Sequence, residues 1–334
     1  MIAPLYDRLI SPNVTLPEFR HARAEATALL PPGFEGRVLE PSPPANTDPT
    51  WFADDPTDPA GATGKVVTPI IGEGTPWEEM AGADPRLAGY VSSHWLGLYR
   101  RLEEVGEAYD STRRSLHQLA YFALAPARHA VNGKIGLRYT QGGFGSPFFG
   151  ANEQVRFENG YLVRQTDVVE SRPVSTLGAA VELFHIPYRE IWFEGFGDHL
   201  PPIGLNEQLL LDEVAAAAVA EWFGFGASVL EQLRRSPAAV DVSRVQLWPE
   251  HFDLAIEMGA ANSRASYGAS PGDGHHPRPY LYVSAPGSID RSDPFWNDRA
   301  FNGASLSYDE LLAAEDQRAV ALAFFNRGYR TLQG

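Results

Sequence analysis

Residues 247–258, with the sequence Leu-Trp-Pro-Glu-His-Phe-Asp-Leu-Ala-Ile-Glu-Met, carry the clearest structural pattern in the chain. From Phe252 onward apolar and polar residues alternate, which is typical of a strand with one face in a core. His251, Asp253 and Glu257 would then share the opposite face. The pattern predicts a single strand over the whole stretch, with its ionisable groups gathered on one side.

A returning strand is predicted shortly afterwards. Residues 270–276, Ser-Pro-Gly-Asp-Gly-His-His, place proline and glycine at the centre of a tight polar turn. Residues 279–283, Pro-Tyr-Leu-Tyr-Val, follow as the second strand. This turn would bring His275 and His276 towards the polar side of the first strand.

Further antiparallel structure is indicated earlier in the chain. Asn159-Gly160 separates the alternating runs 154–158 and 161–165, and Asn-Gly in that position is the strongest short signal for a β-hairpin. The glycine-rich segment 141–147 lacks the Gly-Lys-Ser/Thr ending of a phosphate-binding loop. We interpret that segment as a connection between strands.

Helices are predicted before, between and after these strands in the sequence. The periodicity of apolar residues and the capping signals place helices at 85–125, from Val174 to Phe184, at 206–235 and from Ser307 onward. Gly224 and Gly226 predict a kink or a break within the third of these. His117, inside the first helical region, is interpreted as a packing or solvent-edge residue rather than a ligand.

The predicted fold is therefore α+β, with antiparallel sheets and helices packed on one side. Residues 1–84 are rich in proline and glycine and are expected to form a long irregular arm packed on the body, which is a single domain over 85–334. Two related β-rich halves, 110–186 and 240–332, are a further hypothesis. It depends on a shared order of elements and on a Ser-Pro pair in each half.

Composition excludes several classes of protein. The net charge is −15 over 334 residues, which argues against nucleic acid and anionic membrane surfaces as partners. The chain has no cysteine, so disulfides and thiolate chemistry are excluded. No leader segment is evident at the N-terminus, and we expect a soluble cytoplasmic protein. The oligomeric state is not indicated.

Three segments of this region also suggest a relationship to known proteins. The run 248–255, with Ser270-Pro271-Gly272-Asp273 and the Pro-Tyr-Leu-Tyr of 279–282, resembles a family of bacterial proteins known only as a domain of unknown function. The likeness spans about residues 110–290. It implies a shared fold and assigns no activity.

The outer face of the first strand is the predicted site. His251 and Asp253, two positions apart on one strand, could converge, and a carboxylate beside an imidazole suits acid–base chemistry near neutral pH. Four aromatic residues are expected to bind substrate: Tyr139, Trp248, Tyr280 and Tyr282. A divalent metal is the alternative use of the site, with four ligands: His251, Asp253, His275 and His276.

Two functions of different class fit this site. The first is an enzyme acting on a small molecule through His251 and Asp253, with the reaction left open. The second is a non-catalytic ligand-binding or scaffold protein. No nucleotide or flavin motif is present in the sequence, so any cofactor is unknown beyond the metal alternative.

Overall fold

The structure is a computed structural model that describes residues 101–334, except for 141, 147–148, 150–152, 167–168, 190–199, 235, 237, 244 and 261. The predicted arm over residues 1–84 lies outside the described residues, as do residues 85–100 of the first predicted helical region.

The first half of the described chain consists of helices followed by five strands and a short helix. Its helices are α1 (Tyr109–Leu119), a π-helical turn (Ala120–Leu124) and α2 (Ala125–Asn132). The strands are β1 (Arg138–Thr140), β2 (Gly143–Gly145), β3 (Gln154–Glu158), β4 (Tyr161–Gln165) and β5 (Val169–Pro173). Helix α3 (Leu177–Leu183) closes this half, and the Thr176 side chain caps it by accepting from the Ala179 amide.

The second half repeats that plan. It begins with the long helix α4 (Glu213–Arg234). The strands that follow are β6 (Gln246–Trp248), β7 (Asp253–Met258), β8 (Ala265–Ser270), β9 (Tyr280–Ser284) and β10 (Gly303–Ser307). Two helices end the chain, α5 (Tyr308–Ala313) and α6 (Gln317–Gln333).

Each half forms an antiparallel meander in which every strand pairs with the next in sequence. The first sheet has the order β1-β2-β3-β4-β5, and the second has β10-β9-β8-β7-β6. Leu137 and Leu247 form one antiparallel bridge that joins the edges of the two sheets through reciprocal backbone hydrogen bonds of 2.8 Å. The predicted α+β fold with antiparallel sheets and helices on one side is confirmed.

Helix α4 lies at the centre of the core. It packs on β1 and β2 of the first sheet and on β7 and β8 of the second, while α1 and α6 pack against the helix itself. Gly226 permits the approach to β8, because a Cβ atom there would stand 2.6 Å from the Cβ of Ala269. Gly226 therefore serves close packing, and of the predicted kink or break the break is wrong, because the helix is continuous from Glu213 to Arg234.

Helix α4 is also the only described helix long and apolar enough to cross a membrane by length and composition. Its window Glu213–Leu230 is 72% buried inside the protein. The burial accounts for the apolar sequence, since a core helix must be apolar nearly all round.

Three local predictions need correction, and one is confirmed. Residues 247–258 form two strands, β6 and β7, joined by a turn, because Pro249 and the residues after it leave the ladder. The segment 141–147 contains β2, and the final helix is divided into α5 and α6. The hairpin at Asn159-Gly160 is confirmed, with φ of 48° and 84° at the two turn residues.

The hypothesis of two related halves is consistent with the order of elements, since both halves contain a five-stranded meander between helices. The Ser-Pro echo does not support it. Ser146 follows the second strand of the first meander, whereas Ser270 ends the third strand of the second. The duplication remains a prediction that depends on topology alone.

Candidate functional site

The turn between β6 and β7 holds an unusual backbone conformation. Phe252 has a φ of 55°, a value that bulky side chains rarely adopt. Its ring is fully buried and packs on Phe144 and Phe223, with centroid distances of 5.0 and 5.1 Å. Residues in such conformations persist only where the surrounding structure holds them, and they cluster at functional sites. The packing of the Phe252 ring in the core therefore holds the turn in place.

His117 of α1 fixes the same turn from a second direction. Its ring stacks on Phe252 with 5.1 Å between centroids, and its Nε2 lies 2.9 Å from the Pro249 carbonyl oxygen. Burial lowers the pKa of His117 to about 3, so the ring is neutral at pH 7 and its Nε2–H can donate to that carbonyl. The interpretation of His117 as a packing residue is confirmed.

Asp253 begins β7 immediately after this turn, on the sheet face that points away from the helices. Trp248 lies directly opposite it across the β6–β7 pair, so both side chains are on that face. Leu254, Ile256 and Met258 point the other way and are buried in the core. We call the side that carries Asp253 the outward face of the second sheet.

The Asp253 carboxyl group on β7 accepts a hydrogen bond from β9, although β8 lies between the two strands. The Tyr282 hydroxyl on β9 donates to its Oδ2, and the Tyr282 side chain crosses β8 at Gly268, where no side chain obstructs it. A Cβ atom at Gly268 would stand 2.5 Å from the Tyr282 hydroxyl oxygen. Glycine at this position is therefore required for Tyr282 to reach Asp253.

The second oxygen of Asp253, Oδ1, is buried and has no hydrogen-bond partner. Burial raises the pKa of Asp253, and this outweighs the opposing effects of the Tyr282 hydrogen bond and the nearby His251. A carboxyl group with a raised pKa and a vacant oxygen can take up or release a proton closer to neutral pH than an ordinary aspartate.

Glu250 is a second carboxyl group of the same kind, which the sequence reasoning missed. It lies in the turn, is buried, and its Oε2 has no hydrogen-bond partner. Burial raises the pKa of Glu250, and the charge of Asp253 raises it further. Its place within the stretch 247–258 was the one available signal, but nothing in the local pattern predicted that a turn glutamate would be buried.

A row of polar contacts continues along the outward face from Tyr280, two residues before Tyr282 on β9. The Tyr280 hydroxyl donates to Asp273 Oδ2 at 2.7 Å, and the ring of His276 lies 4.3 Å from that of Tyr280. Burial pushes the pKa of Asp273 up, but hydrogen bonds from Tyr280 and from the amides of His275 and His276 outweigh it and lower the pKa. Asp273 is therefore a charged, structural acceptor.

The row ends at Asp298, in the connection between β9 and β10. His276 Nε2 lies 3.0 Å from Asp298 Oδ2, although not in hydrogen-bond geometry. An open cleft of about 570 Å³ begins at this contact. Its lining is polar, and consists of His275, His276, Asn297, Asp298, Arg299, Ala300 and Ser305. Ser305 pairs with Tyr282 across β10 and β9, so the cleft borders the row that leads to Asp253.

The structure brings some of the predicted site residues together and separates others. Trp248, Tyr280 and Tyr282 share the outward face with Asp253. His251 precedes β7 and is exposed, so the prediction that it shares a strand with Asp253 is wrong. Tyr139 pairs with the buried Phe144 on the helix-facing side of the first sheet, and it is not part of this face.

The predicted metal ligands are divided between two places. His251 and Asp253 lie at the β6–β7 turn, whereas His275 and His276 line the cleft. Among the described residues no group of three or more His, Asp or Glu side chains is arranged to hold a metal ion. The sequence reasoning did not find Asp298, because the irregular connection that carries it has no periodic pattern.

Comparisons with known proteins add no assignment. No family model, no curated protein and no solved structure matches this chain. The resemblance to a bacterial family of unknown function therefore stays a prediction from the two motifs.

Proposed function

We propose that this protein is an enzyme that performs acid–base chemistry on a small polar molecule at the outward face of the second sheet. One observation carries the proposal: Asp253 is buried, has a raised pKa, and keeps one oxygen without a partner. A buried polar atom without a partner is unfavourable for stability and is uncommon in folded proteins. A role in proton transfer explains why Asp253 occupies this position.

The neighbouring groups support different parts of that role. The Tyr282 hydroxyl orients the carboxyl group through Oδ2, and the buried Oδ1 is the oxygen left to take up and release the proton. Glu250 is the second proton-transfer group. Its carboxyl group is also buried, its Oε2 has no hydrogen-bond partner, and its pKa is raised. His251, exposed beside both, favours the ionised form of each carboxyl when it is protonated. Trp248, opposite Asp253 on the same face, provides an aromatic surface for the substrate to pack against.

The test compares Asp253→Asn with Glu257→Gln, a matched change on the same strand and face. Each purified protein is incubated with a small-molecule extract of bacterial cells, and the mixture is followed by mass spectrometry. We expect the wild type and Glu257→Gln to deplete at least one compound, and Asp253→Asn to slow that depletion at least about a hundredfold. Equal depletion by Asp253→Asn would refute the assignment of Asp253.

A second candidate function is ligand binding without catalysis. It is favoured by the position of the cleft, whose lining includes His276 and Asp298 but not Asp253. Under this function no compound is depleted by any variant, and Asp253→Asn leaves ligand affinity unchanged. For either function we propose a cytoplasmic location in bacteria and a small-molecule partner rather than nucleic acid, in keeping with the charge of −15.

A further inference from the structure

The two outer strands of the joined sheets differ in how their backbone groups are satisfied. The backbone bridge between the sheets leaves β5 and β10 as the outer strands. At β10, Asn297 exchanges two hydrogen bonds with the Ser305 backbone, at 2.8 and 2.9 Å. The Glu310 side chain accepts from the Ser307 amide at the end of the same strand. The chain itself therefore protects the β10 edge from pairing with another strand.

The edge at β5 is open. The Val174 amide donates to the Gly160 carbonyl just beyond the end of β5. Since antiparallel ladder bonds recur at every second residue, the next ones to β4 are at positions 172 and 170. The residues between these positions turn their backbone groups away from the sheet: Val169, Ser171 and Pro173. All three are exposed, and no described residue bonds to these outward groups.

The charges on β5 are complementary to a second copy of the same strand. Glu170 and Arg172 share one face of β5 and stay partly exposed, at 49% and 37% of the side chain, although they also pair with Arg164 and Glu182 of their own chain. Two antiparallel copies of β5 keep their faces matched only at registers that differ by two residues. Of the three central registers, two set like charges opposite each other, and one sets each Glu170 opposite an Arg172. Opposite charges across a strand pair stabilise it, and like charges destabilise it.

The same register suits the backbone and the apolar side chains. Ser171 lies opposite Ser171 of the second copy, and the two exchange amide-to-carbonyl bonds. Pro173 has no amide hydrogen to donate, but its carbonyl accepts from Val169 of the second copy. The Val169 side chain, 40% exposed, then packs on that proline beside Tyr161, which is 48% exposed and pairs with Pro173 across β4 and β5. One register therefore satisfies the open edge and covers two exposed apolar side chains.

We propose that β5 is a self-association surface, and that two copies of the chain pair their β5 strands antiparallel about a twofold axis at Ser171. A second copy is the partner that fits, because a foreign strand would gain the backbone bonds without the two Glu170–Arg172 pairs. Each strand contributes only five residues, Val169–Pro173, so the contact is smaller than a standard protein interface. The dimer should therefore form with a dissociation constant of about 10–100 µM.

Sedimentation equilibrium of the full chain over about 1–200 µM tests for this dimer. A chain that is monomeric throughout that range overturns the proposal. Ser171→Pro removes an outward donor and leaves the ladder to β4 intact, so it should weaken the dimer about tenfold or more. A dimer of unchanged affinity in Ser171→Pro overturns the assignment to β5.

Charge exchange tests the pairing. Glu170→Arg and Arg172→Glu should each be monomeric alone, because every central register then brings like charges together, whereas an equimolar mixture of the two should dimerise. Arg330→Glu, an exposed charge reversal on α6, should dimerise as the wild type does. If the mixture of the two folded variants stays monomeric, the charge pairing is overturned.

A single introduced cysteine reports the register without altering a charge, since the chain has no cysteine of its own. In Ser171→Cys the two positions face each other with Cα atoms about 5.5 Å apart, so mild oxidation with diamide should link at least about half of the chain into dimers. Val169→Cys is the matched control, because its two copies would lie four residues apart along the strands, about 13 Å or more, and should not link. Absence of a link at position 171, or a link at position 169, overturns the proposed register.

Discussion

Gly268 is predicted to be essential for the Asp253–Tyr282 hydrogen bond, although it contributes no side chain. In Gly268→Ala the new methyl group would stand 2.5 Å from the Tyr282 hydroxyl oxygen, well inside van der Waals contact. Tyr282 must then move away from β8, and the hydrogen bond to Asp253 is lost. Gly268 does not have a positive φ, so alanine introduces no backbone strain of its own.

The expected effect on stability follows from two destabilising contributions and one that opposes them. Overpacking a filled site destabilises by about 1–3 kcal/mol, and a lost hydrogen bond to a charged group adds roughly 1.5–3 kcal/mol. Replacing glycine by alanine restricts the unfolded chain, which returns about 0.4–1 kcal/mol. We expect Gly268→Ala to lower the free energy of unfolding by about 1.5–5.5 kcal/mol.

Urea denaturation followed by tryptophan fluorescence measures this in a double-mutant cycle with Tyr282→Ala. Once the Tyr282 ring is absent, Gly268→Ala has nothing to displace, and it should change the free energy of unfolding by less than about 1 kcal/mol. Gly287→Ala is the control, since a Cβ atom at Gly287 has no neighbour within 4 Å. If Gly268→Ala lowers the free energy of unfolding by the same amount with and without the Tyr282 ring, displacement of Tyr282 is not the cause.

Two pH effects are expected as well. Burial raises the pKa of Asp253, so the folded chain keeps this proton to a higher pH than the unfolded chain, and the free energy of unfolding should fall as pH rises through that interval. Asp253→Asn should make this fall smaller in urea titrations carried upward from about pH 4, the ordinary range of a carboxyl pKa, with Glu250 supplying the remainder, whereas Glu257→Gln should leave the fall unchanged. His117 behaves oppositely, because a pKa lowered to about 3 means that stability is lost as pH falls from about 6.5 towards 3. His117→Gln keeps a donor for the Pro249 carbonyl and should reduce this loss of stability at low pH. If the free energy of unfolding of His117→Gln falls with pH as steeply as that of the wild type, His117 is not its cause.

The period of the sequence predicted β3, β4, β7 and β9 but not β2, β5, β8 or β10, and these outcomes have identifiable causes. Asn159-Gly160 determines its hairpin locally, since both residues must adopt positive φ. The β6–β7 turn could not be predicted in the same way, because Phe252 adopts its positive φ only under the tertiary packing of Phe144 and Phe223. A strand pattern and a hairpin with a four-residue turn look alike when the turn residues are themselves apolar or bulky.

Strand alternation predicted the face of the sheet on which Asp253 lies, but it could not predict which loop residues lie beside that face. Alternation alone placed Asp253 opposite the core residues, and the Pro-Tyr-Leu-Tyr repeat placed Tyr280 and Tyr282 together. His251 was assigned to that face only because the turn was interpreted as strand. Asp298 meets His276 through a long connection, and no spacing in the sequence reports such a contact.

The position of α4 makes the two meanders interdependent. One helix supplies apolar lining to strands on both sides of the Leu137–Leu247 bridge, so neither sheet has a complete interior of its own. A chain severed between the halves would expose the apolar side of whichever sheet lost the helix. Exchange of one half for a diverged copy would succeed only if the incoming strands matched the existing helix surface, which ties the evolution of each meander to the other.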